Sequence, residues 1–313
     1  MERNVLIYIL AIILFTACNS LRQEVEPKGL VQEPEKLVVA CFISPQDTVL
    51  AALVSRTLPV LGTGNQYNTD ITNATVTLSD GQRSVILKLK PSVPNSGIVT
   101  SYRANVSELP IVTGKTYKLT VRVPDGREVT GTCTVPESVV LNQITVDSAT
   151  TTDFGLSRKE YYARMRWRDP AGQTNFYRVT GNNEFTYTYK TQTSPNGPIR
   201  DTTMRMWGDW YFTTGSTLTD LGRDGQEIIS GRGRLAISYS WANGKQNPSF
   251  PRQLNAHLMN VDENYYRYHD AVERQNQAGD NPFAEPVPIP TNIQGGLGCF
   301  GAYNRSTLTM QLK

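Results

Sequence analysis

The sequence predicts an all-β protein with two folded domains. An N-terminal immunoglobulin-like β-sandwich is expected over 36–136, and a β-rich domain over 137–313, sandwich- or barrel-like, with one short α-helix. Three observations predict this. Short runs rich in Val, Ile, Thr and Tyr recur between turn signals from Leu37 onward, and several of them alternate apolar and polar residues with period two. Only the stretch around Tyr265 repeats its apolar residues at helical spacing.

The first 35 residues belong to neither domain. Val5 to Ala17 is mostly apolar, follows Arg3 and ends at Ala17-Cys18. A run of this length is too short to span a bilayer as a helix, but it suits the central region of a secretory signal peptide. The small residues before a cysteine read as a bacterial lipoprotein signal. Residues 1–17 are expected to be removed and Cys18 to be acylated. Two or more acyl chains, at ~0.8 kcal/mol per buried methylene, would hold the protein on a membrane. Residues 19–35 carry Pro, Gly and charges without an apolar period, so they read as a flexible tether.

Lys and Arg exceed Asp and Glu by only three. This mixed, weak charge argues against nucleic acid as a partner, because phosphate binding needs a concentrated basic face. No second long apolar run follows the signal. Three cysteines remain after Cys18, namely Cys41, Cys133 and Cys299, with no C-x-x-C spacing for a metal or redox centre. Buried free thiols are expected, with a Cys41–Cys133 bridge as the alternative.

In the first domain, strands are expected at Leu37–Ile43, Thr48–Ser55, Ala74–Leu78, Arg83–Leu89, Tyr102–Val106, Tyr117–Val123 and Glu128–Val135. Seven short strands in about 100 residues fit an immunoglobulin-like sandwich. Asp80-Gly81 and Asp125-Gly126 mark hairpin turns, which need positive φ. Pro136 closes the domain. Beyond it, Tyr162–Arg168 alternates so that Ala163, Met165 and Trp167 share one face while Arg164, Arg166 and Arg168 share the other. Asp169-Pro-Ala-Gly172 is a turn into a return strand, Asn175–Thr180, and Phe185, Tyr187 and Tyr189 form another same-face row. Strands are also expected at Met204–Phe212, Glu227–Ile229, Arg234–Trp241 and Ser306–Leu312. Asp262 caps the predicted helix, on which Tyr265, Tyr268 and Val272 recur, and Gly279 ends it.

Catalytic chemistry finds little support. His257 and His269 are the only histidines, no nucleophile turn such as G-x-S-x-G is present, and there is no H-E-x-x-H pair for zinc. A glycan hydrolase needs only two carboxylates, for which Asp209, Asp220, Asp224 and Glu227 are candidates, although turn capping accounts for all four. Asp220 to Glu227 also invites calcium, but its spacing departs from D-x-D-x-D-G and Arg223 interrupts it, so a simple Asp-Gly turn is expected. No catalytic residue, metal or cofactor is therefore assigned. Binding is better supported. Trp207, Trp210 and Tyr211 form a candidate aromatic platform, on which a regular strand would put Trp207 and Tyr211 on one face and Trp210 on the other. Arg164, Arg166 and Arg168 could receive an acidic ligand, against a plainer role as a solvated or edge-protecting face. Gly295-Gly296-Leu297-Gly298 lacks the Lys-Ser/Thr of a phosphate loop and reads as tight backbone packing, with Asn292 bonding its own loop.

Asn73 to Gly81, Gly114-Lys-Thr-Tyr117, Thr134-Val-Pro136, Asp169-Pro-Ala-Gly172, Tyr266-Arg-Tyr268, Asn281 to Pro286 and Asn292 to Gly298 together resemble a family. It is a family of Bacteroidota outer-membrane lipoproteins described only as a domain of unknown function, and the resemblance covers nearly the whole mature chain. It implies an outer-membrane location and an accessory or cargo-binding role beside a TonB-dependent receptor in nutrient uptake. It brings no catalytic residues. Glu24 and Glu26 after Cys18 favour the cell-surface side. The alternative is a glycan- or peptide-binding lipoprotein acting alone, with a carboxylate-dependent hydrolase third.

Overall fold

The computed structural model describes residues 34–58, 69–93, 97–153, 156–192, 197–242, 245–249, 251–279 and 287–312, with Ser194 and Glu285; of 238–249 only the backbone is described. The signal, Cys18 and the tether up to residue 33 lie outside the described residues, as does most of Asn281 to Pro286. All elements below belong to one compact unit, Lys36–Leu58 with Thr63–Lys313.

The first seven strands fall within one residue of the expected runs: β1 (Leu37–Ile43), β2 (Val49–Arg56), β3 (Thr75–Ser79), β4 (Ser84–Lys90), β5 (Ser101–Asn105), β6 (Thr116–Arg122) and β7 (Glu128–Thr134). β1, β2 and β5 lie side by side in one sheet and β3, β6 and β7 in the other. β4 joins the two, pairing with β3 through Ser84–Leu87 and with β5 through Lys88–Lys90. Strands one, two and five facing three, six and seven is the immunoglobulin arrangement. Tyr117 adds its tyrosine corner: the hydroxyl donates to the Pro110 carbonyl at 2.9 Å and accepts from the Val112 N–H at 2.8 Å. Gly81 and Gly126 take positive φ in the two Asp-Gly turns. The core between the sheets includes Leu50, Val76, Leu78, Leu119 and Val121, all essentially inaccessible.

The second half is also all-β apart from its helix. Its strands are β8 (Leu141–Asp153), β9 (Leu156–Arg168), β10 (Phe176–Gln192), β11 (Ile199–Asp209), β12 (Tyr211–Phe212), β13 (Thr217–Thr219), β14 (Glu227–Ile229), β15 (Gly233–Arg234), β16 (Ser238–Ala242), β17 (Lys245–Ser249), β18 (Gln253–Val261) and β19 (Leu297–Gln311), with helix α1 (Glu263–Ala278) between the last two. Strand β9 is flanked by β8 on one side and by β14 and β15 on the other. Strands β10, β18 and β19 form the facing sheet. The second core fills the space between, with Trp167, Met165, Tyr177, Val179, Leu254 and Leu258.

Several strands are longer than their apolar alternation. β10 runs on from the expected Asn175–Thr180 through the Phe185, Tyr187 and Tyr189 row, because beyond Glu184 it pairs only with β11. That ribbon has no buried face to imprint a pattern. β18 has no counterpart among the expected runs, although Leu254, Ala256 and Leu258 alternate. Their partners are supplied by strands distant in sequence. α1 begins as expected: Asp262 Oδ1 accepts from the Tyr265 N–H at 2.8 Å. Gly279 ends it in an ordinary right-handed conformation. Among the described residues no helix is long and apolar enough to cross a membrane.

Strand β19 serves both cores. Leu297–Ala302 lies parallel to β1, and Tyr303–Gln311 lies antiparallel to β18. Phe300 and Ala302 are buried in the first core, while Leu308 and Met310 pack against the second. The Gly-rich entry to β19 is tight backbone packing. A Cβ on Gly296 would sit 2.7 Å from the Leu37 carbonyl oxygen, and one on Gly298, whose φ is +108°, would fall inside the Val39 backbone. The Asn292 amide donates to the Phe300 carbonyl at 2.7 Å and the Thr132 carbonyl at 3.1 Å, and its oxygen accepts from the Phe300 N–H at 2.9 Å. Cys41, Cys133 and Cys299 are buried free thiols, and burial pushes Cys41 up to about 12. Cys41 and Cys133 are not bridged.

Gly298→Ala should lower unfolding stability by roughly 3 kcal/mol or more, since both the left-handed φ and the Val39 contact oppose a methyl group. Gly126→Ala, at positive φ in an open turn, should cost about 1 kcal/mol. Urea denaturation of the two variants checks the difference.

Candidate functional site

The aromatic segment Trp207 to Phe212 is split by the fold. β11 ends at Asp209, and Tyr211–Phe212 pairs with β15 in the opposite sheet. Trp210 makes the crossing. It is 6% exposed, and its backbone N–H donates to the Gly181 carbonyl at 2.8 Å. A Cβ on Gly181 would fall inside its indole ring, so the glycine in β10 is what lets the ring lie against the strand. Trp207, 51% exposed, stands on the outer part of β11 opposite Glu184, whereas Tyr211 is 60% exposed on β12. The three residues therefore do not form one platform, and period-two alternation does not carry through the crossing. Trp210 is core.

The crossing opens a groove of about 710 Å³ between β10, the Asp209–Phe212 segment and the last turns of α1. Its lining is rich in hydrogen-bonding groups: Arg178, Asn182, Asp209, Tyr211, His257, Glu273, Asn276 and Gln277. Glu273 is anchored by the Ser216 N–H at 2.9 Å and by the Ser216 hydroxyl. Arg178 reaches the Tyr265 hydroxyl at 2.9 Å and His269 Nδ1 at 3.3 Å, and its guanidinium lies 5.8 Å from the Tyr265 ring centre. Among the described residues it makes no direct ion pair, but its Nε donates at 3.4 Å to the Ser216 hydroxyl oxygen, and that hydroxyl also holds Glu273, so the groove sets one cation near two carboxylates, Glu273 and Asp209. The sequence signal of Arg178 was weak, a single Arg in a Thr-, Tyr- and Asn-rich strand.

A second groove of about 310 Å³ adjoins the first, sharing Asp209 and Tyr211. Here the Arg234 guanidinium lies 5.6 Å from the Tyr211 ring centre and pairs with Glu160 at 3.1 Å. The Tyr162 hydroxyl donates to Glu160 at 2.7 Å and, with Arg234, holds that carboxyl below its ordinary range. Tyr211 is thus the aromatic face on the rim common to both grooves.

Arg164, Arg166 and Arg168 lie elsewhere, on the face of β9 turned away from Trp167. Arg166 pairs with Glu227 at 2.8 Å, and Arg168 is exposed. An edge-protecting role does not fit, because β9 has neighbours on both sides. The four candidate carboxylates are dispersed as well. Asp209 is at the grooves, Glu227 holds Arg166, and Asp220 and Asp224 meet Asp169, which sequence reasoning treated only as part of a turn. His269 packs at a tilt against Tyr265 and Phe42, with ring centres 4.3 and 4.9 Å away. Burial and then Arg178 push it down to about 3. His257, depressed by burial and then Arg305, lies 2.8 Å from the Thr307 hydroxyl.

The family model Domain of unknown function (DUF4249) matches residues 21–309. The chain belongs to this family. No curated protein matches it. The match spans both cores, the groove-forming crossing and most of β19.

Trp210→Ala should cost about 3–5 kcal/mol of stability, and Trp207→Ala no more than about 1 kcal/mol, as read by chemical denaturation. Acid should also destabilise the protein through His269. Its folded pKa lies below the unfolded value, so its contribution is complete above about pH 6.5 and is lost as pH falls toward 3. Asp262, raised to about 6 mainly by burial, acts oppositely: it favours the fold at low pH and loses that contribution as pH rises through 6. His269→Phe should flatten the loss of stability between pH 6.5 and 3 in equilibrium unfolding measurements.

Proposed function

We propose that this protein is a non-enzymatic, lipid-anchored outer-membrane protein that binds a polar cargo and works beside a TonB-dependent receptor in nutrient uptake. The observation that carries the binding role is the groove under Tyr211. It combines an exposed aromatic face, amide and carboxyl groups, and Arg178 in a concavity of ligand size. Aromatic faces stack on sugar rings or peptide side chains, and a guanidinium fork accepts a carboxylate. The cargo class is therefore a glycan or a peptide, any acidic group of which would meet Arg178 rather than Asp209 or Glu273. The anchoring role rests on Ala17-Cys18 and the tether, and the receptor partnership on the resemblance of the chain to lipoproteins encoded beside such receptors. The alternative is a glycan- or peptide-binding lipoprotein that works alone.

Two measurements test this. The full-length lipidated protein, recovered from its native outer membrane in mild detergent, should bring down one large TonB-dependent receptor in near-equal amount. Recovery of the lipoprotein alone would remove the receptor partnership and leave the independent binder. Titration with acidic oligosaccharides and peptides should change tryptophan fluorescence, and Tyr211→Ala should weaken that binding roughly tenfold. Binding unaffected by both Tyr211→Ala and Arg178→Gln would place the cargo site elsewhere.

A further inference from the structure

We propose that Asp169, Asp220 and Asp224, together with the side-chain oxygen of Asn175, form a calcium site. One oxygen from each of the three carboxylates lies within 4.8 Å of the others. That is the spacing of oxygens placed around one ion at calcium's coordination distance of about 2.4 Å. The residues come from the turn after β9 and from the loop that follows β13, so the site is assembled by the tertiary fold. Gly225 allows the approach, since a Cβ there would meet the Ala171 Cβ at 2.8 Å.

Two of the carboxylates are deeply buried, with Asp169 3% and Asp220 4% exposed. Among the described residues none of the three is paired with Lys or Arg. Their partners are mostly neutral backbone donors: the Gly225 N–H to Asp169 at 2.9 Å, the Asn175 N–H to Asp220 at 2.8 Å and the Gly172 N–H to Asp224 at 2.8 Å. The Tyr177 hydroxyl adds a bond to Asp169 at 2.5 Å. These donors orient the oxygens but do not neutralise them, and each oxygen keeps a further lone pair. Buried carboxylates without a counter-charge are unfavourable to desolvate, and a divalent cation supplies the missing charge.

Asn175 points independently to a ligand. It is 5% exposed, and its Oδ1 has no hydrogen-bond partner. The β10–β13 ladder pairs Phe176 with Thr219, and its next step brings the Asp220 N–H to the Asn175 carbonyl at 3.2 Å. Cross-strand partners share a face, as do residues two apart. Asn175 therefore lies on the same face as Asp220 and as Tyr177, whose hydroxyl reaches Asp169. Its orphaned oxygen is buried on the side that carries the carboxylates.

An all-oxygen set selects a hard cation over zinc, and three carboxylates with an amide oxygen suit calcium better than magnesium, which keeps several waters. Arg223 does not oppose this, because its side chain is exposed. The loop fails the D-x-D-x-D-G spacing because its third carboxylate comes from Asp169.

The test uses the purified full-length chain stripped with EGTA. Terbium should luminesce on excitation of Tyr177 and Trp167, whose ring centres are 5.2 Å apart beside the site. Calcium should displace it, magnesium at equal concentration should not, and calcium should raise the melting midpoint. Asp224→Asn, at an exposed position, should weaken calcium binding about tenfold or more while leaving the circular dichroism spectrum unchanged. Calorimetry of the unmutated chain, expected to give one calcium per protein, decides the matter if that variant does not fold. Absence of calcium binding to the unmutated chain, equal competition by magnesium, or an unchanged affinity in folded Asp224→Asn would overturn the proposal.

Discussion

Strand β19 is hydrogen-bonded to β1 over Leu297–Ala302 and to β18 over Tyr303–Gln311, so one continuous backbone crosses from the first core to the second. Parallel pairing with β1 needs the two backbones in close contact where β19 begins, and Gly296 and Gly298 make that contact sterically feasible. Asn292 fastens the entry to both β7 and β19. Farther along, buried Asn304 donates to the Pro136 carbonyl at 3.0 Å and accepts from the Gln46 amide at 2.8 Å, linking three segments at the boundary between the cores. β19 and its parallel partner β1 lie near opposite ends of the described chain, so their pairing closes a loop that spans most of it. Its long-range pairing raises the entropy cost of closure and lowers the freedom of everything it holds.

The groove depends on that arrangement at one remove. β19 positions β18, β18 positions β10, and Gly181 of β10 receives the Trp210 ring. Helix α1 is held against the same strands by Asp262, whose side chain accepts from both Tyr265 and Ala302 N–H groups. The Tyr211 rim and the Glu273 wall are thus set by packing on opposite sides of one sheet. A binding surface carried on such elements is preorganised, and less ordering entropy opposes the capture of a ligand.

The N-terminal half was legible nearly strand by strand because most of its strands, such as β3, β4, β6 and β7, alternate a buried face with a more exposed one. The burial pattern of β6 alternates strictly, as its sequence Thr116-Tyr-Lys-Leu-Thr-Val-Arg122 does. The second half was less legible for three physical reasons. The outer parts of β10 and β11 form a ribbon without a buried face. β18 draws its packing partners from distant strands. The break at Trp210 depends on a glycine 29 residues earlier. The Trp207, Trp210 and Tyr211 cluster drew attention to the right segment but assigned its members to one surface. Arg178, Glu160 and Glu273 carry no local signal, since a single charged residue on a strand or helix is ordinary until the fold shows what it faces.

The sequence by itself determined the all-β character, the seven strands of the immunoglobulin-like half, the helix that starts at Asp262 and the close backbone packing of Gly296 and Gly298. These follow from period-two patterning, turn chemistry, capping and the missing Cβ, all of which act over a few residues. Tertiary structure alone decided that β19 completes both cores, that Trp210 is buried while Tyr211 is exposed, and that Asp169 joins Asp220 and Asp224. Each of those depends on which distant backbones lie side by side, and strand pairing between remote segments leaves almost no trace in the local order of residues.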